Sequence, residues 1–336
     1  MKQIVFTDVN KAELLEREIP EPGHGQVVVR LAVSTISSGT ERANLTGEVN
    51  IGINRDLSPV PIFPRYGGYS SSGVVVKVGE GVRDLCVGDR VAMSWTTHSQ
   101  YVCKSVNEVY RLADTISFSE AALWHIATFP TAAIRKCRLE LGESAIVMGL
   151  GVLGLMAVKL LKLSGAAPVI AADPVPEKRE LALRIGADYA LDPFAPDFEK
   201  NVRQVAENGV NVAVEVTGNG GALDQVLDCM ARFGRVALLG CTRHSDFTID
   251  YYKKVHGPGI TLIGAHTLAR PSVESSHGLW TTRDDVLAIQ KLVRLGRLEF
   301  ASLVEETHSP SEAPEVYTRL ANEKAFPVVQ FDWDRL

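Results

Sequence analysis

The chain has 336 residues, 46% of them hydrophobic and 22% charged, with a formal net charge of −5; that length suits two domains, each able to bury its own core. A mild acidic balance without any block of Lys or Arg argues against nucleic acid or an anionic membrane as the main partner. The five cysteines (Cys86, Cys103, Cys137, Cys229 and Cys241) are widely spaced with no C-x-x-C pair, which indicates neither a disulfide framework nor a structural zinc knot.

The opening "MKQIVFTDVN" is too short and polar for a secretory leader, so a cytoplasmic location is expected. From there to about Arg111 the chain reads as short β segments between Gly and Pro punctuation. "QVVVRLAVST", "SGVVVKVG" and "DRVAMSW" are rich in β-branched residues and bounded by turn signals, and the region predicts an all-β unit. Helical spacing then takes over in "SFSEAALWHIATFPTAAIRKCRLELGE", whose Ser-Phe-Ser-Glu opening can cap a helix.

After Gly142 strands and helices alternate. "SAIVMG", "PVIAAD", "DYALDP", "VNVAVEVTG", "RVALLG" and "GITLIGAH" read as strands. Between them "VLGLMAVKLLKLSG", "PEKRELALRIG", "FEKNVRQVAENG" and "ALDQVLDCMARFG" read as helices, with a helical turn near Tyr251 to His256. This alternation predicts βαβ units and a parallel sheet of six strands, the number a complete dinucleotide-binding fold needs. The apolar stretch Ala145 to Leu163 contains turn glycines and two lysines, so it predicts no membrane span. Beyond His266 the text is irregular, then helical in "DDVLAIQKLVRLGRL", and it ends on the strand-like "FPVVQFDW". The expected division is 1–125 with 267–336 as one domain and 126–266 as the other.

"MGLGVLG" places Gly149, Gly151 and Gly154 as G-x-G-x-x-G between a strand and a helix, with Val152 and Leu153 opening that helix. The first glycine permits the tight turn, the second lets backbone approach a pyrophosphate, and the third allows close helix–strand packing. Asp173 ends the next strand at the distance expected of a ribose-binding acid, and a carboxylate there favours NAD over NADP. The same Asp173 can instead cap its loop. Lys178 is a second ribose candidate or a solvated helix lysine. Thr217, Gly218, Gly240 and Ala265 follow later strands at their carboxyl ends, where such sheets bind ligands, although turn geometry also accounts for the glycines there and for Gly220 and Gly221.

With both halves read, the chain resembles the medium-chain dehydrogenase/reductase superfamily in its alcohol and polyol dehydrogenase branch. The segments that carry the likeness are "PGHGQVVVRLAVSTISSGTER", "SGVVVKVGEGVRDLCVGDRV", "HSQYV", "GESAIVMGLGVLGLMAVKLLK" and "GGALDQVLDCMARFGRVALLG", which cover nearly the full length in order. The resemblance implies an α/β chain, with a GroES-like β-rich catalytic domain and a Rossmann domain. It also implies a homodimer or homotetramer.

Zinc-binding members of that family take ligands from places that here hold Ser38, Tyr69 and Trp124 or His125. Serine, tyrosine and tryptophan are poor zinc ligands, so no metal is expected. Thr40 matches the family hydroxyl that relays the alcohol proton. Tyr69 has the chemistry to donate to a carbonyl oxygen, and His125 that to finish the relay. Each has a plain alternative: Thr40 bonds its own turn, Tyr69 is a packed aromatic, His125 is a core histidine. Glu41 and Arg42 either pair with each other or leave Arg42 to reach phosphate or substrate, while His266, Arg270 and Trp280 are further pocket candidates. The resulting expectation is a zinc-independent, NAD-dependent interconversion of a secondary alcohol and its ketone, on a polar substrate suggested by the Ser-, Thr- and Tyr-rich site. A reductase of conjugated C=C bonds and a non-catalytic NAD-binding redox sensor are the alternatives.

Overall fold

The computed structural model describes residues 1–51, 60–245 and 247–336. In chain order it begins with β1 (Lys2–Asp8), β2 (Lys11–Glu16), β3 (Gln26–Thr35), α1 (Ser38–Leu45), β4 (Ser70–Val78), β5 (Arg90–Ser94), β6 (Tyr101–Ser105), β7 (Val109–Arg111), α2 (Phe118–Ala121) and α3 (Trp124–Lys136). There follow β8 (Ala145–Met148), α4 (Val152–Leu163), β9 (Val169–Ala172), α5 (Pro176–Arg184), β10 (Tyr189–Leu191), α6 (Phe198–Val205), β11 (Val210–Glu215), α7 (Gly220–Cys229), β12 (Met230–Leu238) and β13 (Thr261–Gly264). The chain closes with α8 (Thr282–Arg294), β14 (Glu306–His308), α9 (Ala313–Asn322) and β15 (Val329–Asp332).

Two compact units result, Met1–Ile126 with Val286–Leu336, and Ala127–Asp285. The second boundary lies later than the expected 266/267. The segment 267–285 belongs to the second unit because its charges are anchored there. Arg270 donates to the Thr128 carbonyl at 2.8 Å and to the fully buried Asp285 at 3.3 Å, and Arg135 donates to the same carboxylate at 2.9 Å.

The first unit is a β fold whose main sheet, among the described residues, runs β14-β15-β3-β4-β5-β7, with β6 paired to β3. Its core is made by Val27, Val29, Leu31, Val75, Val91 and Met93 from the strands, and by Tyr317 and Leu320 from α9. Two of its helices, α1 and α9, are additions to the expected elements.

In the second unit the described strands run β10-β9-β8-β11-β12-β13, and all their pairings are parallel. That is the Rossmann order, in which right-handed crossovers from a central strand build the sheet outward in both directions. One boundary differs from expectation. The helix predicted through Gly234 stops at Cys229, and Met230 already opens β12 opposite Val210, where the Arg203 guanidinium reaches the carbonyls of Asp228 and Met230.

Candidate functional site

In the second unit the glycine loop leaves β8 and enters α4. Gly149 has φ +96, a left-handed conformation that favours glycine. A Cβ on Gly154 would lie 1.9 Å from the Gly149 carbonyl oxygen, so the close packing of helix on strand requires its absence. Gly151 is different: it is exposed, its φ is −69, and a Cβ there would meet nothing within 4 Å. The protein's own packing does not call for a glycine at that point. A ligand passing close to the backbone would. The N-terminus of α4 carries no side-chain cap and no acid in its first turn, so its N–H groups and the positive end of its dipole are left for an anion. Val152 is buried and Leu153 half-buried in that turn. These features fit a dinucleotide pyrophosphate.

Asp173 takes the expected role of a loop cap. Its carboxylate accepts the Leu150 N–H at 2.8 Å and the Val175 N–H at 2.9 Å, bracing the glycine loop against the end of β9. Each oxygen retains a further lone pair for a ribose hydroxyl. Lys178 is 9% exposed, so it is not the solvated helix lysine that composition allows. Past β11, Thr217 and Gly218 donate their N–H groups to Glu215. Burial pushes the Glu215 carboxyl upward while those donors pull it down. Gly218 and Gly240 pack backbone to backbone, a Cβ on Gly240 lying 2.2 Å from the Gly218 nitrogen. Ala265 is buried and extends the ladder to the Leu238 carbonyl at 3.1 Å.

The first unit gathers a second cluster. Tyr69 donates its hydroxyl hydrogen to Ser37 Oγ. The His125 ring meets the Tyr69 ring edge-on at 5.7 Å between centroids, and Trp95 meets His125 at 4.5 Å. Trp95 has φ +57, a conformation rare outside glycine, and its N–H holds the Tyr69 carbonyl at 2.8 Å. Thr40 stands one turn beyond Ser37 in α1, half-buried, and its carbonyl accepts from Asn44 at 2.9 Å. Tyr69 and His125 are therefore brought together. Ser37 and Trp95 belong to the cluster but went unnoticed in the sequence, since nothing local marks them.

Several expectations are corrected. Ser70, Ser71 and Ser72 are fully buried, and their hydroxyls serve the Ala122 carbonyl, Thr96 Oγ1 and the Phe118 carbonyl at 2.7, 2.9 and 2.6 Å. They line no substrate surface. Arg42 neither pairs with Glu41 nor stands free for phosphate; it caps α9 through the carbonyls of Leu320 at 2.7 Å and Glu323 at 2.6 Å. Trp124 is wholly buried and donates from its indole to Glu120 at 3.1 Å. Burial raises the Glu120 carboxyl above its ordinary range against the N–H groups of Phe300 and Ala301. Arg270 is held by Asp285 and Trp280 lies beneath the Arg135 guanidinium at 3.7 Å, so both are structural parts of the second unit. His266 is half-buried and accepts from the Leu268 N–H at 3.2 Å; burial first, then Arg243 and Lys136, lower its proton affinity.

Zinc does not fit this donor set. The ligand places hold Ser38, Tyr69 and the Trp124–His125 corner, and among the described residues no three His, Cys, Asp or Glu side chains converge as a metal site.

Comparison with known proteins gives two family matches, the alcohol dehydrogenase GroES-like domain over residues 23–133 and the zinc-binding dehydrogenase domain over residues 152–277. An L-threonine 3-dehydrogenase of Thermococcus kodakarensis is 30% identical, covering 87% of this chain and 86% of its own. A D-guloside 3-dehydrogenase of Escherichia coli K12 is 23% identical over 96% of this chain and 97% of its own. In fold, the chain is similar to galactitol-1-phosphate dehydrogenase from Escherichia coli, with a TM-score of 0.83, 19% identity and coverage of 99% and 100%.

Proposed function

Because the chain belongs to the medium-chain dehydrogenase/reductase superfamily and is an alcohol-type dehydrogenase of it, we propose that it interconverts a polar secondary alcohol and its ketone with NAD and without zinc. The observation that carries this reading is the Tyr69 hydroxyl bonded to Ser37 with His125 edge-on beside it, in a donor set unsuited to a metal. A sugar, cyclitol or other polyol is the substrate class proposed, and the support for it is now the similarity to the guloside dehydrogenase. The buried serines no longer argue for it.

A bound nicotinamide supplies the hydride acceptor. The protein's own task is the oxygen, where charge builds as the hydride leaves and which a metal would otherwise stabilise. The Tyr69 oxygen, its own hydrogen given to Ser37, has a lone pair to accept the alcohol's hydrogen bond; in the other direction the phenol turns that hydrogen from Ser37 Oγ to the ketone oxygen. With the hydride taken up by a bound nicotinamide, this cluster would receive the alcohol's proton. Imidazole is the side chain best suited to take up that proton, and His125, 2% exposed beside the Tyr69 ring, is the candidate for this part. NAD rather than NADP follows from the negative charge of Asp173 beside the ribose position. A second copy of the chain is the proposed partner: among the described residues β13 forms one edge of the parallel sheet, with Thr261 and Leu262 exposed where another strand could pair. Light scattering that reads a single 36.5 kDa chain would remove that part of the reading.

The test is a screen of polyols by NADH absorbance, with and without a chelator, together with elemental analysis. Turnover unchanged by chelation and a Tyr69→Phe loss of roughly 10²- to 10³-fold in kcat are expected. Stoichiometric zinc, or full activity in Tyr69→Phe, overturns the reading.

A further inference from the structure

The "GTER" acid and the "YGGYSSS" glycines turn out to be one device. Glu41 is 1% exposed, and its carboxylate receives four donors. Oε1 accepts the N–H of Ser37 at 2.9 Å and of Gly68 at 3.2 Å. Oε2 accepts from His98 Nε2 at 3.1 Å and from the Tyr317 hydroxyl at 2.5 Å. The two backbone donors are telling. Ser37 is the residue whose hydroxyl receives the Tyr69 hydrogen, and Gly68 is the residue immediately before Tyr69. One buried carboxylate oxygen thus grips both ends of the Tyr69–Ser37 hydrogen bond.

The donors behind it are ordered in one direction. The indole of Trp333 can only donate, and it donates to Ser34 Oγ at 2.9 Å. Glu41 Oε2 can only accept, so His98 presents a hydrogen on Nε2, and Ser34, already accepting the indole, has its own hydrogen to give to His98 Nδ1, 2.7 Å away. Tyr317 stays protonated, because burial and the adjacent Glu41 carboxylate raise its phenol well above the ordinary value. The fit around the acid is tight. A Cβ on Gly67 would lie 2.7 Å from Glu41 Oε2, and one on Gly68 would lie 2.5 Å from the His98 ring, which explains paired glycines before Tyr69.

Local helix chemistry gives an independent sign. Ser37 is the N-cap of α1, where a serine hydroxyl ordinarily bonds the first free N–H groups of the helix. Here it makes no such bond; Glu41 reaches back to the N-cap N–H as in a capping box, but the hydroxyl is turned toward Tyr69. A feature that would stabilise the helix is instead left serving the phenol.

We infer that Glu41, held by His98 and Tyr317, is a positioning residue for Tyr69, fixing the phenol and its Ser37 acceptor in register. The inference rests on the proposed role of Tyr69 for its catalytic meaning, though not for its geometry. Misplacement of a reacting group by about an ångström costs on the order of 10²-fold in rate. Glu41→Gln brings an amide N–H against one pair of donors: against Ser37 and Gly68 it breaks the grip, and against His98 and Tyr317 it removes the support that holds the side chain.

The experiment labels the full-length protein with fluorotyrosine and follows the Tyr69 ¹⁹F resonance, assigned by its loss in Tyr69→Phe. Glu41→Gln is expected to move or split that resonance, and Tyr317→Phe to move it less. With the polyol found in the screen, Glu41→Gln is expected to lower kcat by about 10- to 100-fold with KM and NAD affinity within about twofold. In a Tyr69→Phe background it is expected to add no further loss. An unmoved resonance in folded Glu41→Gln overturns the inference, as does an equal kcat loss with and without the Tyr69 hydroxyl. Should Glu41→Gln fail to fold, the resonance in Tyr317→Phe decides. Full activity of Tyr69→Phe alone would sink the functional reading and leave the positioning to be judged by the resonance.

Discussion

A single methyl group separates two kinds of glycine in the loop after β8. At Gly154 an added Cβ would sit 1.9 Å from the Gly149 carbonyl oxygen, so alanine must push the helix off its strand; overpacking of that kind costs about 1–3 kcal/mol. At Gly151 it would meet nothing within 4 Å, and the change removes only a tolerated N-cap residue. Gly154→Ala is therefore expected to lower the melting temperature by several degrees, whereas Gly151→Ala stays within about 1 kcal/mol of the parent. For NAD affinity the order reverses in meaning: Gly151→Ala loses at least about tenfold while remaining folded, because its methyl group occupies the ligand's approach. Calorimetry and a fluorescence titration on the two variants check this, and unchanged affinity in folded Gly151→Ala would remove the pyrophosphate from that place. The motif itself is plain in the sequence. Which of its glycines serves the fold and which the ligand is visible only in the neighbours each would strike.

At the level of elements, β14 and α9 are joined by charge. Arg319 grips Glu306 with both terminal nitrogens at 2.7 and 3.0 Å, and His308 adds a contact at 2.8 Å. The Arg319 hydrogen bonds, chiefly, hold the Glu306 carboxyl down to about 2 from an ordinary 4.5. A carboxyl depressed in the folded state contributes stability above its unfolded value and loses it as pH falls through the folded one. The window is thus from about 4.5 down to about 2. Because the pair is partly exposed, the contribution at neutral pH is on the order of 1 kcal/mol. Glu306→Gln is expected to lower stability by that amount at pH 7 and to converge on the parent near pH 2, as read by denaturant midpoints along a pH series. A constant offset at all pH values would mean that packing, not charge, holds β14 to α9. Of the two helices not read from the sequence, α1 is short, whereas α9 does carry helical spacing, with Ala313, Val316, Tyr317 and Leu320 buried on one face.

Over the whole molecule, legibility follows the range of the interactions. The parallel sheet is legible because β/α alternation is local and right-handed crossovers restrict the order that follows. The Tyr69–Ser37 and Glu41–His98 pairs join residues 32 and 57 positions apart, and no spacing rule reaches that far. Ser70 to Ser72 mislead for the same reason, since the acceptors of Ser70 and Ser72 lie in and around the distant helix α2 and that of Ser71 is Thr96. For Asp173 the sequence offers a ribose acid or a loop cap; its grip on the Leu150 and Val175 N–H groups bears out the cap, and that grip shapes the final prediction. The choice between NAD and NADP decides which redox pool the molecule serves. A carboxylate beside the ribose repels a 2′-phosphate while accepting both hydroxyls. Asp173→Ser keeps one small acceptor for the loop but removes the charge. The ratio of kcat/KM for NADP over NAD is expected to rise by about 10²-fold, equivalent to about 2.7 kcal/mol. Part of the change should appear as weaker NAD binding, because the glycine loop loses a brace. If the ratio stays where it was while the protein remains folded, discrimination comes from elsewhere and Asp173 is only the tie between the loop and β9.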